Sequence, residues 1–127
     1  MVKIISTDRA PGVLGPYGQA VVSHGFAFLS GQIALDPKTG RLIEGDVTRQ
    51  TERVLNNLRC VLEAAGLSLA NVVKTTVYLA DINDFQAMND AYVRHLGSHR
   101  PARATVEVAA LPMGARVEIE AIAELEE

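Results

Sequence analysis

The sequence predicts an α+β domain in which two helices cover one face of a mixed β-sheet. Two segments repeat apolar residues at helical spacing, and a glycine closes each of them, Gly66 and Gly97. The segments before, between and after the helices alternate apolar with polar residues or are rich in β-branched residues, which is typical of strands. The order of strands, helix, strand, helix and strands favours both helices packing on the same side of the sheet.

The first part of the chain predicts three short strands. Residues 2–7 form one, and residues 10–18 follow as a loop because they are rich in glycine and proline. Residues 19–23 and 26–35 are two apolar runs on either side of a His-Gly pair, which suits a tight hairpin turn. Residues 36–45 contain turn residues and connect this hairpin to the first helix.

The middle of the chain predicts two helices separated by a strand. The first helix begins at Val47, and Asp46 before it is a candidate N-cap because its carboxylate can accept an unpaired backbone N–H. Residues 71–82 are rich in β-branched side chains and predict a strand. Residues 84–97 repeat the helical pattern.

The chain ends in two strand patterns in which polar and apolar side chains alternate, residues 102–111 and 115–125. The apolar sets are expected to pack under the helices. If the two strands pair as a hairpin across a loop with an even number of residues, their polar sets share the opposite face of the sheet. We expect this register because it buries both apolar sets.

The predicted polar face carries Arg103 and Thr105 beside Glu118 and Glu120. One interpretation is a solvated face with cross-strand ion pairs. The other is a small-anion site, because a guanidinium holds a carboxylate through two charge-assisted hydrogen bonds where water is excluded. Two of the other strands are apolar or small on both faces, so a partner subunit is the natural cover for this side of the sheet.

Length and composition favour a single small domain. The chain has 127 residues, 48% of them hydrophobic, which is enough for one core over residues 1–127 and too little for two. Twelve Lys and Arg against 15 Asp and Glu, without a run of like charges, give no reason to expect a nucleic acid partner. No signal peptide or membrane-spanning stretch is evident, so a cytoplasmic location is expected. Cys60 is the only cysteine, which excludes an intrachain disulfide, and we expect it in the core.

Five stretches carry a family resemblance. They are GPYGQA at 15–20, SGQI at 30–33, EAAGLSLANVVKTTVYLADINDFQAMNDAY at 63–92, and PARATVEVAALP with VEIEAIA within 101–123. In this order they resemble the RidA family, also called YjgF/YER057c/UK114, over almost the whole chain. The resemblance implies a chorismate-mutase-like α+β fold assembled as a homotrimer, with sites in the clefts between subunits.

The resemblance also implies an activity. Archetypal members are 2-iminobutanoate/2-iminopropanoate deaminases: they hydrolyse reactive enamine and imine acids, such as 2-aminoacrylate, to 2-oxo acids and ammonia. This prevents damage to PLP enzymes, and it uses no metal or organic cofactor. The family's catalytic residues match Arg103, which would clamp the substrate carboxylate, Glu118, which would position a water, and Tyr17, which would line the pocket.

Further residues match the family's substrate-binding positions. Ser30 and Gly31 lie on the strand whose backbone approaches the ligand, and Asn89 matches a site asparagine on the second helix. Thr105 replaces the cysteine of archetypal members, so its backbone N–H rather than a thiol would meet the substrate. Arg100 stands where the family commonly has a bulky apolar residue, which leaves the preferred imino acid open.

Three alternatives compete with the deaminase. A trimer that binds a small acid without turnover, or acts as a chaperone, has the same pocket. An endoribonuclease or translation inhibitor is disfavoured because the net charge is −3 and the chain has three Phe, three Tyr and no Trp to stack on bases. A metal site at His95 and His99 is disfavoured because Gly97 is expected to end the helix between them.

Overall fold

A computed structural model describes residues 2–126, in which six strands form one mixed sheet and two α-helices pack on one of its faces. The strands are β1 (Lys3–Ile5), β2 (Ala20–Ser23), β3 (Phe26–Gln32), β4 (Val72–Leu79), β5 (Ala102–Glu107) and β6 (Val117–Glu124). The helices are α1 (Val47–Ala64) and α2 (Phe85–Leu96). This architecture confirms the predicted α+β class with two helices on one face.

Local sequence signals account for the helix ends. Asp46 caps α1 as predicted, and its carboxylate accepts the backbone N–H of Arg49 at 3.0 Å. Gly66, just beyond α1, and Gly97, just beyond α2, have φ of +76° and +60°. Glycine adopts this left-handed conformation without the strain that a side chain would bring, so each helix stops where its glycine stands.

The core lies between the helices and the sheet. The residues there that are almost completely buried include Leu55, Leu58, Leu62, Val77, Met88, Val117 and Ile119. Burying each of these large side chains contributes roughly 1.5–3 kcal/mol to folding. Cys60 is buried in the same cluster, as predicted.

The strand order corrects one expectation. Along the sheet the strands run β1-β2-β3-β6-β4-β5, so the last two strands of the chain do not pair as the predicted hairpin. Instead β5 pairs with β4 in parallel, and β6 lies antiparallel between β3 and β4. The reason is the connection through α2, which is long enough to return the chain to the same end of the sheet and so permits parallel pairing.

The register overturns the shared polar face as well. Arg103 on β5 stands opposite Thr75 on β4, and the hydroxyl of Thr75 shares a 2.8 Å hydrogen bond with Tyr92 of α2. Directly opposed residues point to the same side of a sheet, so Arg103 and Thr105 face the helices. Glu118 stands opposite Tyr78, which is three positions beyond Thr75 on β4, and an odd separation places it on the other face of the sheet. The two groups expected side by side are separated by the sheet.

The face of the sheet away from the helices is open in the single chain. It exposes large apolar side chains, among them Ile4 at 66%, Phe28 at 45% and Val106 at 44%. Surfaces of this kind on a small protein are typical of contacts with another chain. No helix within residues 2–126 combines the length and the apolar character needed to cross a membrane.

Candidate functional site

The predicted site residues fall into two groups, one on each face of the sheet. The group on the open face, which we call the glutamate cleft, contains Tyr17, Ser30, Gly31 and Glu118. The group on the helix face, which we call the arginine cavity, contains Asn89, Tyr92, Val93, Arg100, Pro101 and Arg103. A single chain therefore does not bring Arg103 and Glu118 together.

The glutamate cleft has a volume of about 420 Å³ and lies between the loop 11–17 and strands β3 and β6. Its floor is formed where the pairing of β3 with β6 is interrupted between Leu29 and Gln32. The interruption takes Ser30 and Gly31 out of the regular ladder, and both residues line the cleft. The family match of this stretch to a ligand-facing strand is consistent with that geometry.

Gly31 makes room for the carboxylate of Glu118. A Cβ atom at position 31 would lie 2.3 Å from Oε2 and 3.0 Å from Cδ of Glu118. Any side chain at this position would therefore push the carboxylate away, because nonbonded carbon contacts are optimal at about 3.5–4.0 Å. Position 31 therefore requires glycine because the Glu118 carboxylate lies so close to its backbone, and not because its φ angle is positive.

Hydrogen bonds hold the loop that forms the other wall of the cleft. The Ser30 hydroxyl donates to the carbonyl of Gly18 at 2.6 Å, so its proton is already engaged and its oxygen remains as an acceptor. The Tyr17 hydroxyl accepts the Leu14 N–H at 3.2 Å and keeps its own proton for a ligand. The Tyr17 side chain is 50% exposed.

Gln19 is a structural residue of this wall that the sequence reasoning missed. Its side chain is buried, and its amide donates to the carbonyls of Pro11 at 2.8 Å and Thr7 at 3.0 Å. Its oxygen accepts the Thr7 N–H at 2.7 Å. A glutamine directly before a strand shows no pattern that distinguishes it from a surface residue, because the carbonyls that it bonds belong to the preceding loop.

The electrostatics of the cleft raise the affinity of Glu118 for a proton. Burial raises the pKa of Glu118 above its ordinary value, and the negative charge of Glu120 raises it further. No ion pair formed within residues 2–126 involves either carboxylate. Glu120 accepts a 2.7 Å hydrogen bond from the Tyr78 hydroxyl, and that bond raises the pKa of Tyr78. Within the described part of one chain, burial is therefore the largest influence on the pKa of Glu118.

The arginine cavity holds Arg103 in a defined orientation. One Nη atom donates to the Asn89 side-chain oxygen at 2.8 Å. The guanidinium lies over the Tyr92 ring, 4.8 Å from its centroid, and 5.5 Å from the centroid of Phe85. These aromatic contacts restrict the side chain while leaving most of its N–H groups for a carboxylate. Asn89 thus acts on the predicted site by orienting Arg103.

Thr105 and the histidines occupy other environments. Thr105 does not line the cavity, and its buried hydroxyl has no hydrogen-bond partner within the described part of the chain. His95 and His99 contact separate backbone carbonyls, those of Ala91 at 3.2 Å and Val72 at 2.7 Å. Among residues 2–126 no three His, Cys, Asp or Glu side chains cluster closely enough to hold a metal ion.

The chain is similar to known proteins over almost its whole length. A family model described as Endoribonuclease L-PSP matches residues 7–125. The human 2-iminobutanoate/2-iminopropanoate deaminase is 50% identical over 121 residues, which are 95% of this chain and 88% of that protein. A crystal structure of RidA from an Antarctic Psychrobacter covers 97% of this chain and 99% of its own, with a TM-score of 0.93 and 46% identity. Escherichia coli TdcF with bound serine covers 98% and 99%, with a TM-score of 0.92 and 43% identity.

Proposed function

The chain belongs to the RidA family, whose model is described as Endoribonuclease L-PSP, and we propose that it is a deaminase that hydrolyses 2-imino acids to 2-oxo acids and ammonia. The observation that carries the proposal is the preorganised Arg103, held by Asn89 and two aromatic rings, whose remaining donors have no side-chain partner among residues 2–126. A guanidinium in this state suits the α-carboxylate that 2-imino acids such as 2-iminopropanoate and 2-iminobutanoate share. The serine bound to TdcF is a ligand of this size with the same group.

The active site is completed by a second copy of the chain. Arg103 and Glu118 lie on opposite faces of one sheet, so they can act on one small substrate only if they come from different subunits. Arg103 lies on β5, an edge strand, and Glu118 opens onto the exposed apolar face. A homotrimer, as in the family, would cover that face and place the Arg103 of one subunit at the glutamate cleft of the next.

The arginine cavity of one subunit and the glutamate cleft of another are the two half-sites of the proposed active site. The reaction needs only Arg103 from the first and Glu118 from the second. Arg103 holds the substrate carboxylate, Glu118 orients a water, and the water attacks the carbon of the C=N bond. The resulting carbinolamine loses ammonia as its C=O bond forms. Proton transfer by a positioned carboxylate increases the reaction rate about 10²- to 10⁴-fold, and holding the reactants in place increases the rate further. No step needs a cofactor, and we place the activity in the cytoplasm, where PLP enzymes release such imines.

The activity is tested by generating an imine with an amino-acid oxidase or a PLP dehydratase and trapping what remains with semicarbazide. The wild-type protein should shorten the lifetime of the imine, and Arg103→Ala and Glu118→Gln should not. Arg41→Ala removes an arginine that makes no side-chain contact with either half-site and serves as the control. Equal imine lifetimes with wild-type and Arg103→Ala protein would overturn the proposed deaminase activity and favour a protein that binds the ligand without turnover. RNA cleavage that persists in Arg103→Ala would favour the ribonuclease class.

The shared site is tested by mixing subunits. Arg103→Ala and Glu118→Gln protein, refolded together, should regain activity because about a quarter of the interfaces in a random mixture combine an intact Arg103 with an intact Glu118. Each variant refolded alone should stay inactive. Sedimentation should give the mass of a trimer. An active monomer, or a mixture without regained activity, would contradict the shared site.

A further inference from the structure

The arginine cavity contains a second arginine that the proposed reaction does not use. Arg100 and Arg103 both line a cavity of about 360 Å³, with Pro101 between them in the wall. The substrate carboxylate needs one guanidinium, since a single guanidinium holds a carboxylate through paired hydrogen bonds. Arg100 therefore represents a second positive charge at the position where the substrate would bind.

The described part of the chain does not neutralise these two charges. Neither Arg100 nor Arg103 forms an ion pair with a carboxylate of residues 2–126, although the whole chain carries a net charge of −3. Two guanidinium groups of like charge in one small cavity repel each other unless an anion lies between them. A ligand with two carboxylates would neutralise both.

Arg100 is held in place by its neighbouring backbone. One of its Nη atoms donates to the carbonyls of Gly97 at 2.5 Å and His99 at 2.9 Å. This contact fixes one end of the guanidinium just beyond α2 and leaves its other Nη atom and Nε for a ligand. Arg103 is held in the same manner by Asn89, at 2.8 Å. Because the two arginines are three positions apart, their Cα atoms are at most about 10 Å apart, a span that two long side chains can close around a short diacid.

From this arrangement we infer that the site takes 2-imino acids that carry a second carboxylate on a short side chain, the imines of acidic amino acids. Arg103 holds the α-carboxylate, and Arg100 holds the carboxylate of the side chain. The reaction is the proposed one: water adds to the C=N carbon, the C–N bond breaks, a C=O bond forms, and the nitrogen leaves as ammonia. The inference rests on the proposed function and adds the substrate class. Oxidation of an acidic amino acid at its α-amino group is the class of reaction that supplies such an imine.

The test compares the imines of aspartate and of 2-aminobutanoate, each made by an amino-acid oxidase with catalase present. Arg100→Gln should lower kcat/KM for the dicarboxylic imine about 10-fold, the effect of one charge-assisted hydrogen bond, and change that for the monocarboxylic imine less than twofold. Arg100→Lys should recover part of the loss because it keeps the charge. Arg41→Gln, which removes an exposed arginine outside both half-sites, should change neither value.

A preference between the two imines that is the same in wild-type and Arg100→Gln protein would overturn the inference. A role of Arg100 limited to binding the end of α2 would lower the stability of Arg100→Gln and slow both imines equally, which also overturns it. If wild-type protein hydrolyses neither imine, the proposed function fails, and calorimetry with oxaloacetate, the dicarboxylic 2-oxo acid, then decides the role of Arg100. Binding weakened by Arg100→Gln supports the second carboxylate site, and unchanged binding refutes it.

Discussion

Replacing Gly31 with alanine should strongly lower the activity of the protein without unfolding it. The three heavy atoms nearest to the added Cβ, at 2.3, 3.0 and 3.2 Å, all belong to the side chain of Glu118. Gly31 does not need a positive φ, so alanine brings no backbone strain. The carboxylate is the free end of a flexible side chain and can turn into the adjacent cleft. We expect the free energy of unfolding to change by less than about 1 kcal/mol.

The effect on activity follows from the size of the displacement. Raising the shortest contact from 2.3 Å to a normal separation of about 3.5 Å moves the carboxylate by about 1 Å. A misplacement of about 1 Å in a catalytic arrangement can cost about 10²-fold in rate. Gly31→Ala should therefore lower kcat/KM for the imine about 100-fold, measured by the decay of the semicarbazide-trapped product.

A double-mutant cycle with Glu118→Ala identifies the cause. If Gly31→Ala acts only by moving the carboxylate, it should cost nothing further once the carboxylate is absent. Gly12→Ala is the matched control, because Gly12 lines the same cleft and its added Cβ would meet no atom within 4 Å. Full activity in Gly31→Ala, or a loss that adds to that of Glu118→Ala, would refute the reasoning.

Three further outcomes are expected. Asn89→Ala should raise KM with little change in kcat because Arg103 loses the 2.8 Å bond that orients it, and steady-state kinetics with an unchanged KM would contradict this. Burial and the charge of Glu120 raise the pKa of Glu118, and activity needs the ionised carboxylate, so activity is lost as pH falls through that pKa. Glu120→Gln removes that charge, so the loss of kcat/KM on the acid side of the pH profile should occur at lower pH. If this loss occurs at the same or a higher pH, Glu120 does not raise the pKa of Glu118. The buried side chain of Asn57 donates to the backbone carbonyls of Ile33 and Leu35, and Asn57→Ala leaves both carbonyls without this donor. The free energy of unfolding, measured in urea, should therefore fall by about 2–3 kcal/mol. A change below about 0.5 kcal/mol would refute this.

Local patterns predicted the elements of the fold well. The helix that starts after Asp46 and the glycines that end both helices are determined by hydrogen bonding and backbone conformation within a few residues. The first hairpin followed from two apolar runs around a His-Gly pair, and β2 and β3 do pair there. Such features depend on neighbours along the chain, which a single sequence displays.

The side of the sheet that Arg103 faces could not be predicted in this way. Alternation along β5 defines two sets of side chains, and it does not say which set faces the helices. The alternating pattern favoured burial of Ala104 and Val106, yet both are exposed on the open face. Arg103 instead packs on α2, where its guanidinium donates a hydrogen bond to Asn89 and lies over the ring of Tyr92.

The α+β class and the two helices were predictable from the sequence alone, because they depend on side-chain chemistry and on spacing along the chain. The order of the strands, and with it the separation of Arg103 from Glu118 by the sheet, followed only from the folded structure. The parallel pairing of β5 arises from the connection through α2, a contact between segments distant in sequence. That separation divides one predicted site into two half-sites, which is why the proposed activity needs more than one copy of the chain.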